Sequence, residues 1–265
     1  MNLVFDIDGT ICFDGQHIDK EITQRLISLH NVGHRIIFAS ARPIRDLLPV
    51  LPKAFHGMSL IGGNGSIISE NKTIRSLATI SHTDFQIIKD VIKKYDLNYI
   101  VDDKWNYAAN ISVANEIYKR LDPLHLAQKL SLAAITSPIK VILLNIPTQY
   151  FEEIATYLST KVPHLSLINH SNELNIDITA QHINKFAAIE YILGSNPEYI
   201  AFGNDHNDIT MLNNAESGYF VNNKAVNLPI FENNHKLKSI ESNVDSICKS
   251  LDQLFEETNL YNKNR

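Results

Sequence analysis

Residues 3–11 read Leu3-Val4-Phe5-Asp6-Ile7-Asp8-Gly9-Thr10-Ile11, an apolar run that ends in two carboxylates two positions apart. Side chains at i and i+2 of a strand point the same way. Asp6 and Asp8 can therefore share one site at the carboxyl end of a sheet, where open α/β sheets bind ligands. Two carboxylates so close repel unless a proton or a cation lies between them. Mg²⁺ suits such a place, because it takes oxygen ligands and is usually held by one or two carboxylates plus a substrate phosphate. The same residues also read as a solvated Asp pair before a glycine turn, and this stretch alone does not choose between the two.

Three further segments follow the same plan. The run His34-Arg-Ile-Ile-Phe-Ala-Ser40 ends in Ser40-Ala41-Arg42-Pro43, with Pro43 suited to the first turn of a helix. Lys185 lies near the start of a helix expected within Gln181–Gly194, where Phe186, Ile189, Ile192 and Leu193 share a face and Gly194 is a C-cap. Tyr199-Ile-Ala-Phe202 is a buried-type strand that runs into Gly203-Asn204-Asp205-His206-Asn207-Asp208. Taken singly, Ser40 reads equally as a helix N-cap and Lys185 as a solvated lysine.

Carboxylate pair, hydroxyl, lysine and acidic loop, in that order, resemble the four motifs of the haloacid dehalogenase (HAD) superfamily of phosphohydrolases. The chain is similar to its Cof-type branch, with a class II (subclass IIB) cap, through Ala39-Ser-Ala-Arg42, Asn64-Gly-Ser-Ile-Ile68, Leu174 to Lys185 and Phe202 to Leu212. The resemblance implies an α/β fold: a Rossmann-like parallel-sheet core with an inserted α+β cap domain that sets substrate specificity. On this reading residues 1–80 and 177–265 form the discontinuous core and 81–176 the cap.

Bulk properties agree. A chain of 265 residues exceeds the usual single core, and 44% hydrophobic with 20% charged residues is ordinary for a globular protein. A net charge of −5 argues against a nucleic-acid partner. No run reaches membrane-span length and no signal peptide is recognisable, so a cytoplasmic protein without membrane partners is expected. Cys12 and Cys248 are too few for a disulfide framework and are expected as reduced thiols, Cys12 buried and inert. Composition leaves monomer or homodimer open.

Strand, helix, strand alternation marks a parallel sheet. Asp19 is placed to cap a helix reaching about Asn31, with Ile22, Leu26 and Leu29 inward and Gly33 at its end. Asn64-Gly65 between apolar flanks predicts a hairpin with a tight primed turn, a phosphate-cradling loop being the other reading. In the inserted lobe helices are expected over 84–95, 113–121 and 150–158, with strands over 98–101 and 139–146. The return to the core is expected near Ile176.

The resemblance implies a mechanism. Asp6 is the nucleophile that forms an aspartyl-phosphate, and Asp8 is the general acid and base. Ser40 and Lys185 bind the non-bridging phosphoryl oxygens. Arg42, Asn64 and Asn207 are substrate-side candidates. Mg²⁺ is the implied cofactor, with Asp6, Asp8 through its main-chain carbonyl, Asn204 and Asp208 as candidate ligands. Here the chain departs from its family. The last motif usually opens Gly-Asp, whereas Asn204 stands in the second place and brings no charge, which weakens the site unless Asp205 or Asp208 compensates. Ser40 replaces the usual Thr and Ala41 the usual Gly. Trp105 and Tyr107 could stack on a sugar or belong to the cap core, and His206 could influence its neighbours' protonation. The activity implied is Mg²⁺-dependent hydrolysis of a small-molecule phosphate ester, a sugar phosphate foremost. A phosphotransferase or phosphomutase, or a non-catalytic phospho-ligand-binding protein, are the alternatives.

Overall fold

A computed structural model describes residues 1–112, 116–222 and 236–263. In chain order the first part comprises β1 (Asn2–Asp6), α1 (Lys20–Asn31), β2 (Arg35–Ala39), α2 (Ile44–Leu47), β3 (Ser59–Gly62), β4 (Ile67–Glu70) and β5 (Thr73–Ser76). The insertion comprises α3 (His82–Tyr95), β6 (Asn98–Asp102), β7 (Tyr107–Asn110), α4 (Glu116–Arg120), β8 (Lys140–Leu144), α5 (Thr148–Lys161), β9 (Leu165–His170) and β10 (Asn175–Ala180). The chain ends with α6 (Lys185–Leu193), β11 (Tyr199–Gly203), α7 (Ile209–Asn213), β12 (Ser217–Asn222), β13 (Leu237–Glu241) and α8 (Val244–Lys263).

Eight strands form one sheet in the order β13-β12-β11-β1-β2-β3-β4-β5, parallel except for the antiparallel pairs β3–β4 and β4–β5. Leu3, Phe5, Ile36 and Phe38 pack on one face with Ile22 and Leu26 of α1 and Ile247 and Leu251 of α8. Val4, Ile37 and Ala39 pack on the other with Ala188 and Ile189 of α6 and Met211 of α7. Burial on both faces explains why these strands read as continuous apolar runs rather than as alternation. Helix α1 begins as expected, with the Asp19 carboxylate accepting from the Glu21 N–H at 2.7 Å and Ile22, Leu26 and Leu29 buried.

The insertion is an antiparallel sheet of order β7-β6-β8-β10-β9. Val101, Val141, Leu143 and Ile178 lie on one face against Phe85 and Ile88 of α3 and Ile154 of α5. Ile100 and Ile142, paired across β6 and β8, lie on the other. Because β10 pairs with β8 through Thr179 and with β9 through Ala180, the crossing back to the first sheet falls within residues 181–184. The expected return near Ile176 is too early: Ile176 and Ile178 are as apolar as a core strand, but their partners are in the cap. Of the helix expected over 113–121, residues 113–115 lie outside the described residues, and Glu116–Arg120 are helical.

The hairpin at Asn64 is present, with a longer turn than expected. Gly62 pairs with Ile67, so four residues connect the strands, and Asn64 takes φ 56°. Gly65, at φ 103°, lies so close to the Asn184 carbonyl that a Cβ would collide with it. The loop is thereby packed onto the start of α6.

Candidate active site

Register brings the motifs together. Asp6 pairs with Ala39, so Ser40 follows on the neighbouring strand, and Phe5 pairs with Phe202, one residue before Gly203-Asn204. Stacked rings hold these strand ends level: Phe5 to Phe202 at 4.8 Å and Phe202 to Tyr219 at 4.4 Å between centroids. Beyond Asp6 the chain turns through Gly9 (φ 80°), where a Cβ would collide with the Asn204 amide. Only glycine lets the first and last motifs touch here.

Lys185, the first residue of α6, is 1% exposed. Its Nζ donates to Asp6 Oδ1 at 2.5 Å and to Asp208 Oδ1 at 2.7 Å. The helix start is fixed by the Asn184 carboxamide oxygen, which accepts from the Ala187 N–H at 2.9 Å. Burial alone would lower the Lys185 ammonium, but the Asp208 and Asp6 carboxylates together outweigh it and hold it above its ordinary value. Burial pushes the Asp6 carboxyl upward, aided by Asp208 and opposed by Lys185 and Thr10. Lys185 is therefore not a solvated lysine. Asp208 is fully buried, and its second oxygen accepts from the main-chain N–H groups of Asn204 at 2.9 Å and Asp205 at 3.2 Å. With both oxygens engaged, Asp208 anchors Lys185 and the loop.

Asp8 lies at the mouth, its side chain 39% exposed. Arg42 holds it by both oxygens, Nε to Oδ2 at 2.8 Å and Nη2 to Oδ1 at 2.5 Å, and Nη2 also donates to the Gly15 carbonyl at 2.8 Å. Arg42, expected on the substrate side, thus orients the Asp8 carboxylate. Ser40 is buried, and its Oγ accepts from the Arg42 N–H at 3.1 Å, which leaves its hydroxyl proton to give to a ligand. Asn64 and Asn207 bond to each other, Nδ2 of Asn207 donating to Asn64 Oδ1 at 3.0 Å.

Three groups meet where a cation would be held. Turned with Nδ2 inward, the Asn204 carboxamide donates to Asp6 Oδ2 at 3.0 Å and to the Asp8 carbonyl at 3.1 Å. Turned with Oδ1 inward, it places an oxygen at those same distances, and Thr10 Oγ1 meets it at 3.1 Å. Cis oxygens on an octahedral Mg²⁺ with bonds of about 2.1 Å are about 3.0 Å apart. Asp6, the Asp8 carbonyl and Asn204 Oδ1 therefore fit a small hard cation in spacing, with only one formal charge among them. Among the described residues no cluster of three or more His, Cys, Asp or Glu could hold a metal.

Several site residues escaped the sequence reading. Thr10 is fully buried and donates to Asp6 Oδ2 at 2.8 Å; its place directly after Gly9 was the available signal. Arg45, 1% exposed, donates to both oxygens of Asp46 at 2.8 and 2.7 Å, to Asp102 Oδ1 at 2.8 Å and to the Trp105 carbonyl at 3.0 Å. It ties the core to the cap, and the separation of 57 residues between Arg45 and Asp102 gives no sequence signal. Tyr107 is buried beneath the Arg45 guanidinium, so its ring is not a free stacking platform, and Trp105, whose Nε1 donates to the Leu126 carbonyl, packs in part against the core of the first sheet. His206 is exposed. Both cysteines are free and buried, and burial pushes the Cys12 thiol up to about 11, as expected for an inert thiol.

The family model of haloacid dehalogenase-like hydrolases matches residues 3–256, and the chain belongs to that family. Among solved structures it is similar to a haloacid dehalogenase-like hydrolase from Bacteroides thetaiotaomicron, with 16% identity, TM-score 0.79 and coverage of 96% of this chain and 98% of that one. It is similar to TM0651 from Thermotoga maritima, with 17% identity, TM-score 0.76 and coverage of 95% and 96%. A third, described as the HAD subclass IIB sugar phosphatase BT4131, has 20% identity, TM-score 0.70 and coverage of 96% and 98%. No curated protein matches. The α/β core with its inserted cap is thus the fold of this family. No helix among the described residues is long and apolar enough to cross a membrane.

Proposed function

We propose that this protein is a cytosolic, Mg²⁺-dependent phosphatase that hydrolyses small phosphorylated metabolites through a phosphorylated Asp6. The observation that carries the reading is the buried Asp6–Lys185–Asp208 array two residues from Asp8, which itself lines a cleft between core and cap. A structural ion pair needs no second carboxylate at the mouth.

Asp6 attacks phosphorus in line, the P–O bond to the alcohol breaks, and Asp8 gives that oxygen its proton. Asp8 then takes a proton from water as the water attacks phosphorus, the P–O bond to Asp6 breaks, and inorganic phosphate leaves. Because Arg42 holds both oxygens of Asp8, the acid step requires one of them to turn toward the leaving group. Lys185 and the Ser40 hydroxyl hold non-bridging oxygens, and both are fixed in place before charge develops. A divalent cation held by Asp6, the Asp8 carbonyl and Asn204 would offset the charge that carboxylate and phosphate oppose to each other.

The cleft has a volume of about 240 Å³, below the ~300–1,000 Å³ of drug-sized sites, which favours small esters over phosphoproteins. Sugar phosphates are the starting class, since one fold relative is described as a sugar phosphatase. Phosphate release from a panel of small esters, with and without Mg²⁺, tests the reading. Release that needs Mg²⁺ and is lost in Asp6→Asn supports it. No release from any ester, or transfer of the phosphoryl group to a second sugar without free phosphate, would replace it.

A further inference from the structure

The cleft beside Asp8 is lined differently on its two sides. On the core side stand Asp8, Arg42 and Asp46. On the cap side Ile100 and Ile142, directly opposed across β6 and β8, form the floor, and Ile117 and Leu121 form a wall. The charges lining it are almost all committed. Arg42 is held by Asp8, and Asp46 and Asp102 by Arg45; Lys140 Nζ pairs with Asp177 Oδ2 at 2.6 Å. Arg120 differs. It projects from the end of α4 into the same lining, is exposed, and among the described residues has no carboxylate within ion-pair distance. Its guanidinium lies over Gly15, where a Cβ would stand 3.1 Å from Arg120 Cζ, and the carbonyl of that same glycine accepts from Arg42.

We propose that Arg120 is a specificity residue which reads a second anionic group on the substrate, so that the preferred ester has a compact, largely apolar leaving group carrying a carboxylate or a second phosphate. The reacting end of this substrate rests on the phosphatase reading. Four branched aliphatic side chains favour C–H surface over hydroxyl groups. Among the described residues the cleft lining holds no Ser, Thr, Asn or Gln to read a neutral sugar. A guanidinium recognises carboxylate and phosphate alike through paired N–H donors. Among the described residues lining the cleft, Arg120 is the cation that no carboxylate already holds.

The test compares binding of benzylphosphonate and 4-carboxybenzylphosphonate, neither hydrolysable, to the whole protein by titration calorimetry. The carboxylate should tighten binding about ten-fold, as one charge-assisted contact at a partly exposed site allows. Arg120→Gln should abolish that gain and leave benzylphosphonate binding unchanged, while Arg120→Lys should keep part of it. Equal affinity of the two phosphonates, or an equal loss of both in Arg120→Gln with Arg120→Lys behaving like wild type, would overturn the assignment. The matching phosphate esters and glucose 6-phosphate are then assayed for hydrolysis. If the phosphonates bind as expected and no ester is hydrolysed, the phosphatase reading fails while the role of Arg120 stands.

Discussion

Lys185 Nζ lies 2.5 Å from Asp6 Oδ1, and the fourth motif closes the array from behind, since Asp208 takes the same ammonium at 2.7 Å. Removing one member of such a buried set leaves charges without partners. Lys185→Met should destabilise the fold by about 3–5 kcal/mol and abolish turnover. Urea unfolding checks the first effect; a loss below 1 kcal/mol, a size ordinary for exposed ion pairs, would show that the array is not a buried electrostatic unit.

Asn204→Asp places a second carboxylate 3.0 Å from Asp6 Oδ2. Like charges at that distance repel, so the variant should melt lower than wild type in chelator and gain more from Mg²⁺, because binding to the native state stabilises it. The check is the Mg²⁺-induced rise in melting temperature. An equal rise in both proteins would remove Asn204 from the cation site.

Arg42→Gln releases Asp8 from its clamp. A positioned acid contributes about 10²–10⁴ to such reactions, and it matters most when the departing oxygen is basic. The kcat for an alkyl phosphate should therefore fall at least about ten-fold, and the kcat for p-nitrophenyl phosphate much less. Equal losses on both would mean that Arg42 acts on the phosphoryl group and not through Asp8.

His34 gives a pH dependence of stability. It is 3% exposed, its Nε2 lies 2.9 Å from Thr258 Oγ1, and its Nδ1 has no partner among the described residues. Thr258 donates its own proton to the Leu254 carbonyl, so His34 is assigned the Nε2–H form. Burial, with the N-terminal ammonium, lowers its pKa below the usual 6.5. The unfolded chain then binds this proton more readily, so the contribution is present above pH 6.5 and is lost as the pH falls from there through the lower folded value. His34→Gln should flatten the fall of melting temperature between pH 7 and pH 5, values chosen to bracket about 6.5. An unchanged slope would assign the acid sensitivity elsewhere.

The elements that carry the chemistry were legible because each is a buried strand stopped by polar residues: Phe5 before Asp6, Ala39 before Ser40, Phe202 before Asn204. Parallel register then puts those stops side by side, which is why a one-dimensional pattern forecast a three-dimensional site. The partners of those residues were not legible. Arg42 turns to Asp8, 34 positions away, and Arg45 reaches Asp102 across the core–cap boundary, and no periodicity encodes such pairs. The end of the cap was misplaced because Ile176 and Ile178 carry the same apolar signal whichever sheet they join. Asp208 stands out in sequence only as part of the acidic loop, and the structure adds that Lys185 and two main-chain N–H groups share its oxygens.

The most direct test of the central claim is chemical. The protein is quenched during turnover of a small phosphate ester and reduced with borohydride, which converts an aspartyl-phosphate to homoserine, and the peptide containing residue 6 is analysed by mass spectrometry. Homoserine at position 6, absent without substrate, is the expected result. Steady phosphate release with only unmodified Asp6 recovered would contradict Asp6 as the nucleophile.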